Sequence, residues 1–192
     1  LGYDYQNFNG RDEVLLIAQQ TERAHAFVAQ VRTTDDLFDS ARFALGVRHN
    51  RTKESGKTVW SVSGRWDANP ALFLEGMVGT SFILPSAEQL FGIDPCCAVG
   101  DPNLKAEQSL NANLSVGGEA ARLAWRLTGF ARTIDDLIVD DYSRPGFPDG
   151  IYVNVDRKVR SRGVEGQATV QIADGISARG SFALTRTRAE GA

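Results

Sequence analysis

The sequence predicts an all-β chain of about nine antiparallel strands of the transmembrane β-barrel type. Three observations predict it. Apolar and polar residues alternate with period two through most of the chain, as in strands with one oily and one polar face. Tight turns alternate with long excursions, the asymmetry of a barrel with short turns on one side of a membrane and long loops on the other. Several alternating runs reach about ten residues, long for a soluble sheet and about what a tilted strand needs to cross a bilayer.

The strands follow in chain order. Phe27, Ala29 and Val31 alternate with Gln30 and Arg32, and Phe43, Leu45 and Val47 with Arg42 and Arg48. Trp60, Val62, Gly64 and Trp66 then oppose Ser61, Ser63 and Arg65, and Leu72, Leu74, Val78 and Phe82 oppose Glu75 and Ser81. In the run "EQSLNANLSVGG", Leu110, Ala112, Leu114 and Val116 take one parity and Ser109, Asn111, Asn113 and Ser115 the other. Leu123, Trp125, Leu127, Gly129 and Ala131 share a face against Arg122, Arg126, Thr128 and Arg132. Two last runs place Val164, Ala168, Val170 and Ile172 against Glu165, Gln167, Thr169 and Gln171, and Ile176, Ala178, Phe182 and Leu184 against Ser177, Arg179, Ser181 and Thr185.

The joining segments DANP (Asp67 to Pro70), GGEA (Gly117 to Ala120) and ADG (Ala173 to Gly175) read as turns on one end, with long loops on the other, from Ile83 to Ala106 and from Asp140 to Arg157. Orientation follows from charge. An arginine facing lipid near the bilayer midplane costs roughly 2–4 kcal/mol, so Arg122, Arg126 and Arg132, together with Glu165, are expected to face the lumen. Alternation with short turns also describes a soluble β-sandwich whose apolar face meets a second sheet. A soluble binding domain without transport is therefore the alternative.

Composition narrows the classes further. The chain has 192 residues and a net charge of −3, with no block of like charges, which argues against nucleic acid as a partner. No apolar run approaches the 18 or so residues of a membrane-spanning helix, and a mean hydropathy of −0.24 does not separate an alternating barrel from a soluble sheet. The opening LGYDYQNF has no basic stretch followed by an apolar one, so no signal peptide is expected within this chain. Cys96 and Cys97 are adjacent, matching no zinc or redox spacing; a vicinal disulfide, a bridge to another cysteine and two free thiols all stay open. His25 and His49 lie on different strands, and Asp135, Asp136, Asp140 and Asp141 lack EF-hand spacing. No catalytic group, metal site or cofactor is expected.

Three stretches carry a resemblance. "GTSFILPSAEQLFG" (Gly79 to Gly92) followed by "GDPNLKAEQS" (Gly100 to Ser109), then "FARTIDDLIV" (Phe130 to Val139), then "YVNVDRKVRSRGVEGQ" (Tyr152 to Gln167) resemble, in order and spacing, the TonB-dependent outer-membrane receptors. Ile83 and Leu84 stand where that family usually has a basic residue and Ala, and Ala106 replaces its common Pro. The resemblance implies residues 1–192 are part of a 22-stranded barrel, with the plug, the TonB box and the C-terminal strands outside this chain. It further implies an active transporter in the outer membrane of a Gram-negative bacterium, taking up a scarce nutrient such as a siderophore or cobalamin. Its partners would be the nutrient, membrane lipid and, through the N-terminal part, the TonB complex. Ligand contacts in such receptors fall to the long loops, where Phe91, Tyr142, Arg144 and Phe147 are the candidates. Gly163 and Gly166 are expected where a side chain would crowd a neighbour.

Overall fold

The computed structural model describes residues 1–34, 37–53, 56–69, 71–93 and 98–190. Eleven strands and one short helix follow in the order β1 (Gly2–Asp12), β2 (Ile17–Arg32), β3 (Ala41–Arg51), β4 (Gly56–Asn69), β5 (Leu72–Ile83), α1 (Ala87–Phe91), β6 (Glu107–Ala120), β7 (Leu123–Asp135), β8 (Ile138–Asp141), β9 (Ile151–Asn154), β10 (Val159–Ala173) and β11 (Ile176–Ala189). Nine of them form one sheet, β1-β2-β3-β4-β5-β6-β7-β10-β11, and β8 pairs only with β9. Every pairing in the sheet is antiparallel between neighbours in this order. The sheet is not closed: β1 and β11 each have one unpaired edge.

Register carries the alternation from strand to strand. Phe27 lies opposite Tyr3 and His49, Val62 opposite Leu45 and Val78, Leu74 opposite Trp66 and Val116, Leu127 opposite Val116 and Gly166, and Val164 opposite Gly129 and Leu184. Residues directly opposite share a face, so these apolar rows form one continuous surface. A one-residue slip would send a whole row to the other side. Three hairpins meet this demand with a register shift beside the turn, between Gly10 and Asp12, Asp67 and Asn69, and Gln171 and Ala173. Without the second shift Trp66 would face Glu75 instead of Leu74. Such bulges also bend and twist the strand locally.

Little of the sheet is packed against protein. Phe43, Trp66, Leu114, Phe182 and Leu184 are 52%, 52%, 58%, 53% and 69% exposed, too much contiguous apolar surface for water to border. Of the buried apolar residues, Ile17, Ala98, Ala106 and Ile138 lie at the loop end of the sheet, and Ala26 lies within β2. On the opposite, polar face, a hollow of about 700 Å³ is bounded by side chains from Ser61 on β4 through Asn111 and Glu165 to Thr187 on β11. The sheet therefore curls around its polar face and turns its apolar face outward, the curvature of a water-lined barrel wall.

Several expectations need correction. β1 carries only a weak alternation, too weak to mark it as a strand from sequence. GGEA belongs to strand β6 and not to a turn; the turn falls at Ala121 and Arg122, where Ala121 takes φ 50°. Ile83 is the last residue of β5, and the second long loop contains the β8–β9 hairpin, so Asp140 and Asp141 are strand residues. The connections 13–16 and 52–55 are short yet lie at the long-loop end, while 33–40 is the longest at the other end. Two loops, 84–106 and 136–158, therefore carry the asymmetry. Gly163 faces Phe130, and Gly166 faces Phe182, across the strand pairs. A Cβ at either position would come within 3 Å of the facing ring, so each glycine makes room for an aromatic ring laid over it.

Candidate functional site

Two regions hold organised polar side chains. The first is on the concave face near the short turns. β4 and β5 are joined across residues 70–71, which brings Arg65 opposite Glu75 and Asp67 opposite Phe73. Arg65 bridges Asp67 at 2.8 Å and Glu75 at 3.4 Å, and Arg126 from β7 reaches the same Glu75 oxygen at 3.5 Å. Both guanidinium groups lie over the Phe73 ring, 3.9 and 5.0 Å from its centre, in cation–π geometry. Phe73 fits there because Gly117 is its cross-strand partner; a Cβ on Gly117 would stand 2.6 Å from the ring. Each carboxylate is held by arginine, so the cluster suits rigid charge-assisted contacts and not proton transfer.

Beyond this cluster the concave face continues as a ladder of hydroxyls and amides. Ser115 and Thr128 hydroxyls meet at 2.8 Å, Ser81 and Ser109 at 2.7 Å, and Asn111 donates to both of the latter. Arg132 donates to the Asn111 carbonyl oxygen at 2.7 Å. Glu165 lines the hollow opposite Thr128 and Ala183 and makes no ion pair among the described residues. Arg122 is not in the row: it sits in the β6–β7 turn, where its carbonyl accepts from Gln171 and its guanidinium donates to the Ile172 carbonyl.

The second region is at the loop end. Ser86 caps α1 reciprocally, its hydroxyl accepting from the Gln89 N–H while the Gln89 side chain accepts from the Ser86 N–H, the capping box that lets so short a helix form. The two long loops are tied together. Val99 N–H donates to Gly150 O at 2.9 Å, and Tyr152 N–H donates to Val99 O at 3.0 Å. The Asn154 amide accepts from Lys105 N–H at 2.8 Å and donates to the carbonyls of Lys105 and Asp136 at 3.0 and 2.7 Å. Glu107 accepts the Ile138 N–H, and the Tyr152 hydroxyl donates to Glu88. Burial and the neighbouring Glu88 carboxylate push the Tyr152 phenol up from its ordinary value.

The predicted loop contacts divide on this scaffold. Tyr142 is 61% exposed, its hydroxyl donates to Asp140 and its ring lies against Gly150. Arg144 is exposed and donates to Asp141 at 3.4 Å. Phe147 closes the same turn, donating its N–H to Arg144 O and accepting from Gly150 N–H, and is half-buried. Phe91 ends α1 and is also half-buried. Asp141 accepts from the Ser143 hydroxyl and N–H, and these bonds, with Arg144, hold its carboxyl below the usual carboxylate range.

The family described as TonB dependent receptor-like, beta-barrel matches the chain over residues 1–192. The chain belongs to this family. A vitamin B12 transporter from Photobacterium profundum is 33% identical over 110 residues, which is 56% of this chain and 17% of the transporter. The siderophore receptor PirA of Pseudomonas aeruginosa superposes with a TM-score of 0.84 at 16% identity, over 96% of this chain and 36% of the receptor. A mutant ferric enterobactin receptor from the same organism gives 0.71 at 19% identity, over 87% and 27%. The chain thus spans well under half the length of these proteins. A soluble sandwich gains no support: the TonB-dependent receptor wall accounts for the uncovered apolar face, which no second sheet meets among the described residues.

Within that family setting, the remaining sequence candidates find ordinary places. His25 shares a hydrogen bond with the Tyr3 hydroxyl at 2.8 Å, and His49 with the Thr58 hydroxyl at 2.8 Å, both on the convex face. Among the described residues no three His, Cys, Asp or Glu side chains converge as a metal site. Cys96 and Cys97 lie outside the described residues. The cluster around Phe73 is what sequence reasoning missed. Its signal was present, since Arg65 and Glu75 share the polar parity on strands joined by a tight turn.

Proposed function

We propose that this chain is part of the barrel wall of an outer-membrane active transporter in a Gram-negative bacterium, taking up a scarce nutrient such as a siderophore or cobalamin with energy delivered through TonB. Membership of the TonB-dependent receptor family supports this reading. So does the uncovered, largely apolar surface on the convex side of a sheet whose concave side is polar. In this reading Arg126, Arg132 and Glu165 face the lumen, Arg122 lies at its periplasmic rim, and no residue performs a catalytic step. Tyr142 and Arg144 are the exposed ligand-contact groups, and Phe91 and Phe147 support the surface behind them. The TonB complex acts through parts of the protein outside this chain.

Position-by-position nitroxide labelling along Gln108 to Val116 in the intact receptor tests the orientation. Even-numbered sites are expected to be accessible to a lipid-soluble relaxant and odd-numbered ones to be shielded from it; the reverse pattern, or none, would sink the barrel assignment. Uptake and growth on limiting iron or cobalamin, with Tyr142→Ala and Arg144→Ala, then test the nutrient class and the loop contacts. Impaired uptake with normal receptor abundance is expected.

A further inference from the structure

The connections at the turn end of the sheet are not alike. Those between β6 and β7 and between β10 and β11 are two residues each, Ala121 with Arg122 and Asp174 with Gly175. The connection between β2 and β3 runs from 33 to 40 and carries two large apolar side chains, Leu37 and Phe38, which are 63% and 47% exposed. A turn that simply projected into water would leave the transfer free energy of both unused.

The backbone shows where this connection goes. Its two ends are fixed to strands. Thr33 N–H donates to the Phe43 carbonyl and Phe43 N–H to the Thr33 hydroxyl, each at 2.9 Å, while the Ser40 carbonyl accepts from Asp67 N–H at 2.7 Å. Between them Leu37 N–H donates to the Thr34 carbonyl at 3.1 Å and tightens the bend. Five residues of extended chain span about 17 Å. The rings of Phe38 and Phe43 nevertheless lie only 6.1 Å apart, edge to face at 82°, so the connection doubles back onto its own hairpin. The face it meets is the outward one. Phe43 belongs to the convex row with Leu45 and Val47, and its ring lies over Gly64, where an added Cβ would stand 3.0 Å from it. Phe38 therefore extends an apolar surface that already exists, beyond the last residues of the strands.

We propose that Leu37 and Phe38 form a wedge that inserts among the phospholipids of the inner leaflet beside Phe43, so that the β2–β3 connection is a membrane contact and not a loop facing the periplasm. The inference rests on the reading that the convex face meets lipid. Continuity with that face through Phe43 is what selects lipid as the occupant. An aromatic ring with one edge against protein suits the boundary between acyl chains and headgroups. Asp39, next in sequence and exposed, keeps the wedge shallow, at the roughly 5–10 Å depth of an interfacial segment.

The test is nitroxide labelling of the intact receptor in phospholipid bilayers, with its native cysteines replaced by serine. Single labels are placed by Leu37→Cys, by Leu114→Cys on the convex face and by Asp174→Cys in the short turn after β10. Collisions with oxygen, which concentrates in lipid, are compared with collisions with a water-soluble nickel chelate. The oxygen-to-nickel ratio at 37 is expected to exceed that at 174 at least about threefold and to approach that at 114. Adding Phe38→Ser should return the label at 37 to the value at 174, and Phe38→Leu should not. A label at 37 that matches 174 while 114 is lipid-exposed overturns this proposal alone, and leaves the apolar pair to a periplasmic protein. A label at 37 unmoved by Phe38→Ser overturns the wedge as well. Loss of lipid exposure at 114 rejects the barrel orientation beneath it.

Discussion

Asn154 has more consequence than its size suggests. One side chain accepts from Lys105 and donates to two carbonyls that belong to different segments, so Asn154→Ala leaves three backbone groups short of a partner. A cost of about 1–3 kcal/mol is expected, confined to the loops. It should read as faster hydrogen exchange in residues 99–106 and 136–154, with the heat resistance of the sheet unchanged. Asp141 supports a pH prediction. Its folded carboxyl titrates below the unfolded one, held down by Ser143 and then Arg144. The contribution is therefore present above the unfolded value, about 3.9, and lost as pH falls through the lower folded value. Protection of residues 140–147 should stay constant from neutral to about pH 5 and fade below about pH 4, and Asp141→Asn should abolish that dependence. Neither residue's role could be read from a local pattern: Asn154 finds Lys105 across 49 positions of sequence.

At the scale of elements, glycine and aromatic pairs set how closely strands approach. An added Cβ on Gly163 would stand 2.3 Å from the Leu184 carbonyl and 2.7 Å from the Phe130 ring. The carbonyl belongs to the backbone and cannot turn aside. Gly163→Val is expected to destabilise the β7–β10–β11 region by about 1–3 kcal/mol, seen as a lowered temperature for loss of heat-modifiable mobility, while Gly180→Ala, with open space around it, should leave that temperature unchanged. Strands β2 to β7, β10 and β11 were legible from alternation alone, because each keeps one face apolar over several residue pairs. β1 was not, since Asn7, Phe8 and Asn9 reverse the parity that Tyr3 and Tyr5 set. The turn after β6 was misplaced for a related reason: Gly117, Gly118 and Glu119 read as turn residues locally, yet they are paired with Arg126, Trp125 and Ala124, and tertiary pairing overrides propensity in a central strand.

For the whole molecule, the decisive quantity is the difference between the two faces. Leu114 lies mid-strand on the convex face and Asn113 beside it on the concave one. Leu114→Arg should cost roughly 2–4 kcal/mol of folding into a bilayer, and Asn113→Arg much less; equal costs in a denaturant titration would contradict the orientation. By itself the sequence determined eight of the nine strands of the main sheet, its two faces and the family, because a period of two is a local property and the three quoted motifs are contiguous. Only the tertiary structure decided which way the sheet curls, where bulges restore register, that Arg65, Glu75 and Arg126 meet over Phe73, and that the two long loops are one docked unit. Those features depend on residues as far apart as Val99 and Ile151 or Glu75 and Arg126, whose meeting is set by strand pairing and stagger across the whole sheet and is written in no single stretch of chain.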